Sequence, residues 1–279
     1  MENLLVPCDF SPESREAYQF ALRLAGKTNG AVSVLKAIDL PVMYESALGA
    51  TPYYFDPTLI KELKEEAASQ FEKMKKQFPS DVPSTFFAQE GPVTPIIRQF
   101  IADHNIDLVI MGTRGASGLE EYLIGSNTEK IVRFSPVPVF AIRKAPGIDS
   151  IKNIVFPTTL EKNQTALLSE IKQLQGFFKA KLHLLLVNTP YNLLRTVDEK
   201  EKMEAFAKQN GLENYTLNLR DDFREPNGIM RFAAEINADL IAMGTHGRRG
   251  LNHLFTGSIA EDVVNHLDCP IWTFSIRTK

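Results

Sequence analysis

The sequence predicts a mainly parallel, doubly wound α/β domain, present twice in tandem. Three observations carry the prediction. The second half of the chain restates the first. Within each half, apolar runs with little period-2 alternation take turns with stripes of helical period, which suits strands buried on both faces between helices. A glycine-rich loop follows a strand-like run at matching places: 111–126 reads MGTRGASGLEEYLIGS and 243–258 reads MGTHGRRGLNHLFTGS.

The restatement runs through both halves. NLLVPCDFS (3–11) matches NIVFPTTLE (153–161), and AVSVLKAID (31–39) matches KLHLLLVNT (181–189). IRQFIADHNIDLVIMGTRG (97–115) matches MRFAAEINADLIAMGTHG (230–247), and VPVFAIR (137–143) matches CPIWTFSIR (269–277). A repeat this long is a duplicated domain, not a solenoid unit. The 279 residues suffice for two ordinary domains. KAPGIDS (144–150), short and rich in turn residues, marks the joint, giving domains 1–144 and 151–279.

The elements follow in order. Asn3–Cys8 reads as the first buried strand. Ser11 is placed to cap the first helix, with Pro12 at its first position. Ala17, Phe20, Ala21 and Leu24 fall on one face of it. Leu59 or Ile60, then Leu63, Ala67, Phe71, Met74 and Phe78, trace the stripe of a longer helix. Its other face, Lys61, Glu62, Lys64, Glu65 and Glu66, reads as solvated surface. Asp107–Met111 is a strand, 127–134 a helix that Gly125 and Ser126 open, and 137–143 a last strand. In the second half Gly257 and Ser258 open a helix over 259–266.

Composition narrows the function classes. Hydrophobic residues make up 44% and charged residues 23%, a soluble globular profile, with net charge −3. No basic excess points to nucleic acid. Two cysteines, Cys8 and Cys269, make no disulfide framework and read as small buried thiols. MENLLVPCDF lacks the pattern of a signal peptide, and no run reaches the length of a membrane span. The expectation is a cytoplasmic protein without a membrane partner.

The glycine loops are the candidate site. Gly112 and Gly244 stand 132 positions apart, as do Gly125 and Gly257. A glycine loop leaving a strand and opening a helix offers bare amides and the positive end of a helix dipole, both suited to phosphate. A tight turn, copied by duplication, is the other reading. Neither named phosphate motif is present. AGKT (25–28) has Ala21 where a Walker loop needs glycine and follows a helix, so it reads as a helix C-terminus. Gly112, Gly115 and Gly118 are evenly spaced and do not form GxGxxG.

With nine residues between the second and third glycines in each copy, G-x2-G-x9-G-S/T resembles the nucleotide motif of the universal stress protein family. Pro7-Cys8-Asp9-Phe10-Ser11 is similar to the end of that family's opening strand. The resemblance covers essentially the whole sequence as a tandem pair. It implies two Rossmann-like parallel five-stranded sheets of strand order 3-2-1-4-5. It also implies ATP, with Mg²⁺ arriving on it, bound where strands 1 and 4 diverge.

Carried over residue by residue, the resemblance sets Pro7, Cys8, Asp9 and the backbone near Ala37 by the adenosine half, and Met111 and Gly112 along the nucleoside. Arg114, Gly115, Gly125, Ser126 and Asn127 would serve the phosphates. Val187, Met243, Gly244, His246, Gly247, Arg248, Gly257, Ser258 and Ile259 take the matching places. Two departures distinguish the halves. Thr159 stands where Asp9 does and Glu161 where Ser11 does, so the second half lacks the carboxylate for adenosine hydroxyls. Ala116-Ser117 stand where the second half has Arg248-Arg249, so the first half lacks positive charge at those positions. The first half is favoured for adenosine, the second for phosphate, with unequal affinities expected.

Other groups read as structural. His246 suits a hydrogen-bonding loop residue better than a proton-transfer group, and His246, His253 and His266 lack metal-ligand spacing. Cys8 has no base partner in sequence and no GxSxG elbow exists, so no catalytic residue is assigned. Trp272 reads as packing. In relatives the fifth strands pair edge to edge. Here the two apolar edges 137–143 and 269–277 are expected to pair with each other as an intramolecular pseudo-dimer, leaving room for association of two molecules. The stretch 40–58, with Met43, Tyr44, Tyr53, Tyr54 and Phe55, has no counterpart of similar length and reads as a pocket or partner cover, or as packed ornament. The expected function is adenine-nucleotide binding as a stress-response module. Its alternatives are a degenerate interaction protein and an adenine-nucleotide α-hydrolase-like enzyme, which would need a substrate domain the sequence lacks.

Overall fold

The computed structural model describes residues 1–39, 57–113, 125–161, 164–190, 196–246, 263 and 269–276. Residues 40–56, 114–124, 162–163, 191–195, 247–262, 264–268 and 277–279 lie outside the described residues.

Strand β1 (Asn3–Pro7) buries Leu4, Leu5 and Val6 in succession, which only a sheet covered on both faces permits. Helix α1 (Pro12–Thr28) starts where expected: the Ser11 side chain accepts from Ser14 N, and Pro12 sits in the first turn. Ala17, Phe20, Ala21 and Leu24 are fully buried along its inner face. It ends on Asn29, a left-handed cap, so Gly26 and Lys27 belong to its last turn and not to a phosphate loop. Strand β2 (Ala31–Ile38), helix α2 (Pro57–Gln77), strand β3 (Ser84–Glu90), helix α3 (Val93–Asp103), strand β4 (Leu108–Gly112), helix α4 (Ser126–Phe134) and strand β5 (Val139–Ile142) complete the first half. The α2 stripe is buried at Ala67, Phe71 and Met74, whereas Leu59 and Leu63 in its first turns are exposed.

The second half repeats the plan with β6 (Asn153–Pro157), α5 (Thr165–Phe178), β7 (Lys181–Asn188), α6 (Thr196–Gln209), β8 (Tyr215–Asp221), α7 (Glu225–Glu235), β9 (Leu240–His246) and β10 (Ile271–Ile276). Small backbone devices repeat with it. Phe10 and Leu160, Asn29 and Lys179, and Asn105 and Asn237 are matched left-handed residues. Asp107 accepts from Glu2 N and Asn3 N, and Asp239 accepts from Lys152 N and Asn153 N. In each half this carboxylate ties the base of the first strand to the start of the fourth.

The strand order is β3-β2-β1-β4-β5-β10-β9-β6-β7-β8. Each half therefore has the order 3-2-1-4-5 that the resemblance implied. The pairings among the described residues are parallel except β5 with β10, which run antiparallel with Trp272 opposite Phe140. The two five-stranded halves share a ladder through their fifth strands and so form one ten-stranded sheet. One core, with Phe20, Phe140, Phe156 and Trp272, lies under α1, α2, α5 and α6. The other, with Phe100, Ile131, Ile229 and Phe232, lies under α3, α4 and α7. The joint is packed onto α1. Arg23 donates to Ala145 O and Pro146 O, Ala145 N donates to Glu16, and Lys27 pairs with Asp149 at 3.0 Å.

His183 on β7 sits between Asn153 Oδ1 (3.2 Å) and Thr216 Oγ1 (2.8 Å). Burial, with a smaller contribution from Lys181, lowers its pKa. The unfolded protein then binds the proton more readily, so this contribution to stability is present above the ordinary histidine pKa of about 6.5 and is lost as pH falls. Denaturation of wild type and His183→Gln between about pH 7.5 and about pH 5.5 is expected to show wild type losing stability relative to the variant. A constant difference across that range would refute it.

Candidate functional site

The chain moves one way across the sheet from β1 to β3 and the other way through β4, so the ends of β1 and β4 part and leave a crevice. A cavity of about 250 Å³ lies there. Every described first-half residue of the predicted site lines it: Pro7, Cys8, Asp9, Ala37, Met111, Gly112, Gly125, Ser126 and Asn127. Arg114 and Gly115 lie outside the described residues.

The turn after β1 places the carboxylate. Asp9 Oδ1 accepts from Ser11 N at 3.0 Å and from Ser11 Oγ at 2.6 Å, while Ser11 caps α1. Between them Phe10 has φ 64°, a conformation that a bulky side chain adopts only when its surroundings hold it. Its ring is buried beside Phe86, and its carbonyl accepts from Arg15 Nε at 3.0 Å. Packing beneath α2 thus fixes the direction of Asp9.

Helix α4 supplies the other wall. Gly125 is its N-cap and brings no capping side group. Gly125 N donates to Thr113 O at 2.8 Å, and Thr128 Oγ1 donates to Gly112 O at 2.8 Å, pinning the helix start to the end of β4. The amides of Ser126 and Asn127 come before the first intrahelical bond, from Glu129 N to Gly125 O. They stand at the positive end of the dipole, on residues beside the cavity.

The described motif glycines are not there for positive φ. Gly125 has φ −60°, and neither Gly112 nor Gly244 is left-handed. Gly112 is bare because α1 crosses it: a Cβ would meet the Glu13 carbonyl carbon at 2.7 Å and its oxygen at 2.9 Å. The left-handed turn of the site belongs to Phe10, which sequence pattern did not mark. Cys8 is a buried thiol against Ser14 Oγ at 3.4 Å, and burial pushes its pKa up, opposite to an activated nucleophile.

Sequence reasoning missed Lys36. It lines the cavity, with Nζ 6.0 Å from the centre of the Phe10 ring. The first half therefore does carry a cation at its site among the described residues, brought by β2. Its only signal was its place next to Ala37 near the end of a strand. Ser14, Val93 and Ile97 also line the cavity and were not singled out.

In the second half Val187, Met243 and Gly244 line the corresponding cavity with Pro157, Thr158 and Thr159. Thr158 Oγ1, not residue 159, accepts from the turn amide Leu160 N, at 3.1 Å. His246 is the last residue of β9, laddered with Ile276, and so does not belong to the loop where the pattern put it. The strand extends past the glycine because β10 is long enough to pair with it. Gly247, Arg248, Gly257, Ser258 and Ile259 lie outside the described residues.

Comparison with known proteins agrees with this architecture. The sequence model of the universal stress protein family matches residues 1–143 and again 150–275. A universal stress protein of Synechocystis is 22% identical, over 98% of this chain and all of its own length. One from Methanocaldococcus jannaschii is 28% identical over 51% of this chain and 82% of its own. The crystal structure of a universal stress protein from Archaeoglobus fulgidus superposes with a TM-score of 0.75 at 21% identity, covering 99% of this chain and 98% of that one.

Proposed function

The chain belongs to the universal stress protein family, and from that premise we propose that it is a tandem adenine-nucleotide-binding module, a cytoplasmic stress-response regulator and not an enzyme. Residues 1–144 and 151–279 are its two units, and the first-half cavity holds the nucleotide. The observation that carries this reading is the convergence on one crevice of a fixed carboxylate, Asp9, a cation, Lys36, and the uncapped start of α4.

These groups fit the ligand's chemistry. Asp9 is an acceptor suited to sugar hydroxyls. Met111 and Ile97 supply apolar surface for a base. The amides of Ser126 and Asn127 suit phosphate oxygens, and Lys36 adds charge. ATP, with its Mg²⁺, would bring the phosphates that these amides and Lys36 suit. The antiparallel β5–β10 ladder supports reading the molecule as an intramolecular pseudo-dimer. Among the described residues no helix is long and apolar enough to cross a membrane.

The test is mass spectrometry of small molecules released from the purified, denatured protein, followed by Mg²⁺–ATP titration. Gly125 has a backbone open to any residue, and Gly115→Val/Gly125→Val is expected to lose nucleotide, with its circular dichroism spectrum compared with that of wild type to separate loss of binding from loss of fold. Gly247→Val/Gly257→Val is expected to retain nucleotide. Failure of wild type to bind at millimolar ATP would leave the protein-interaction reading.

A further inference from the structure

The second-half cavity is the positional counterpart of the first with its chemistry changed. The matched left-handed residues and the matched β1–β2 and β6–β7 ladders set the equivalence. Lys36 is matched by Leu186, Ser14 by Gln164, and Val93, the first residue of α3, by Glu225, the first of α7. The wall that held a cation in the first half has an aliphatic side chain in the second. An apolar position has become a carboxylate.

Two groups on this wall are without a partner among the described residues. Glu225 is half-buried and makes no ion pair or hydrogen bond there, and burial alone raises its pKa. Gln164 is 5% exposed, and its Oε1 accepts nothing among the described residues. An unpaired buried acceptor and an uncompensated carboxylate both cost free energy, and both are relieved by the same thing, a ligand that brings N–H donors and positive charge. Among the described residues the other charges on the wall do not supply it. Lys202 is taken by Glu199 at 2.7 Å, and Glu161 adds a further carboxylate. A triphosphate would bring more acceptors and more negative charge.

We propose that the second-half cavity is a binding site for a small organic cation bearing N–H donors, an ammonium or guanidinium compound, with Glu225 recognising the charge and Gln164 Oε1 accepting a directed hydrogen bond. The site is independent of nucleotide binding in the first half.

The 279-residue chain is titrated calorimetrically with putrescine, spermidine and agmatine, and with the uncharged diol matching putrescine. At least one cation binds and the diol does not. Glu225→Gln, which keeps size and removes charge, weakens that binding by about tenfold or more, with the circular dichroism spectrum unchanged. Glu225→Val, the first-half residue, does the same, and Gln164→Leu weakens it several-fold. The Gly115→Val/Gly125→Val protein binds the cation as wild type does, so loss of the first-half nucleotide and loss of the cation are read separately. The proposal is overturned if no cation of the panel binds, if binding is indifferent to Glu225→Gln, or if Mg²⁺–ATP displaces the cation from the Gly115→Val/Gly125→Val protein.

Discussion

Trp272→Ala is expected to cost about 3–5 kcal/mol of stability. Trp272 is the largest fully buried side chain among the described residues, with 0% of its surface exposed. It sits opposite Phe140 in the antiparallel pairing of the sheet and stacks on Phe274, with ring centroids 6.2 Å apart. Its removal leaves a cavity at the seam where both halves meet, on the side packed by Phe20 and Phe140. Trp272→Phe separates volume from polarity. The indole Nε1 is buried without a hydrogen-bond partner among the described residues, so phenylalanine removes an unsatisfied donor while keeping most of the packing. It is expected to cost well under half as much as alanine. Circular dichroism in urea measures both, since the only tryptophan is the residue replaced. A Trp272→Ala cost within about 1 kcal/mol would mean that the β5–β10 seam is not packed as described.

Gly112→Ala is expected to cost about 1–3 kcal/mol and also to weaken nucleotide binding. The added methyl meets the Glu13 backbone, which cannot rotate away, so α1 itself must shift from β4. The first turn of α1 follows directly from Ser11, whose amide and hydroxyl fix Asp9, so the shift reaches the cavity. Gly244→Ala at the matching position is the internal control. There the methyl meets the tips of Ile276 and Leu167, both at 2.8 Å, and side-chain ends move aside more cheaply than backbone. It is expected to cost less. Thermal unfolding ranks the two, and Mg²⁺–ATP titration of Gly112→Ala reads the cavity. Equal costs would contradict the backbone-contact explanation.

Much of the architecture was legible because its causes are local. The Ser11–Pro12 helix start, the Ala17–Leu24 stripe and the doubly buried β1 each depend on residues a few positions apart. The duplication was legible because the same local patterns recur. The crevice was legible through the family motif, and all nine described first-half candidates meet in it. What pattern misjudged involved distant partners. The motif glycines were read as bare amides for a ligand, whereas Gly112 is bare because Glu13, 99 positions earlier, crosses it. The first half was read as lacking charge where the second has Arg248-Arg249, and Lys36, which β2 brings to the wall, was not singled out. His246 was assigned to the glycine-rich loop, while β10 extends the strand through it.

By itself, then, the sequence determined a duplicated doubly wound α/β protein with a capped first helix, strands buried on both faces and a glycine-rich stretch after each fourth strand. Periodicity, capping and turn chemistry act over a few residues and can be read there. Only the tertiary structure decided that the two sheets join antiparallel with Trp272 facing Phe140, that Phe10 bears the strained turn, and that Glu225 and Gln164 share one wall without partners among the described residues. Those features arise where segments far apart in sequence are packed together, and no local pattern records which distant backbone, charge or acceptor will be the neighbour.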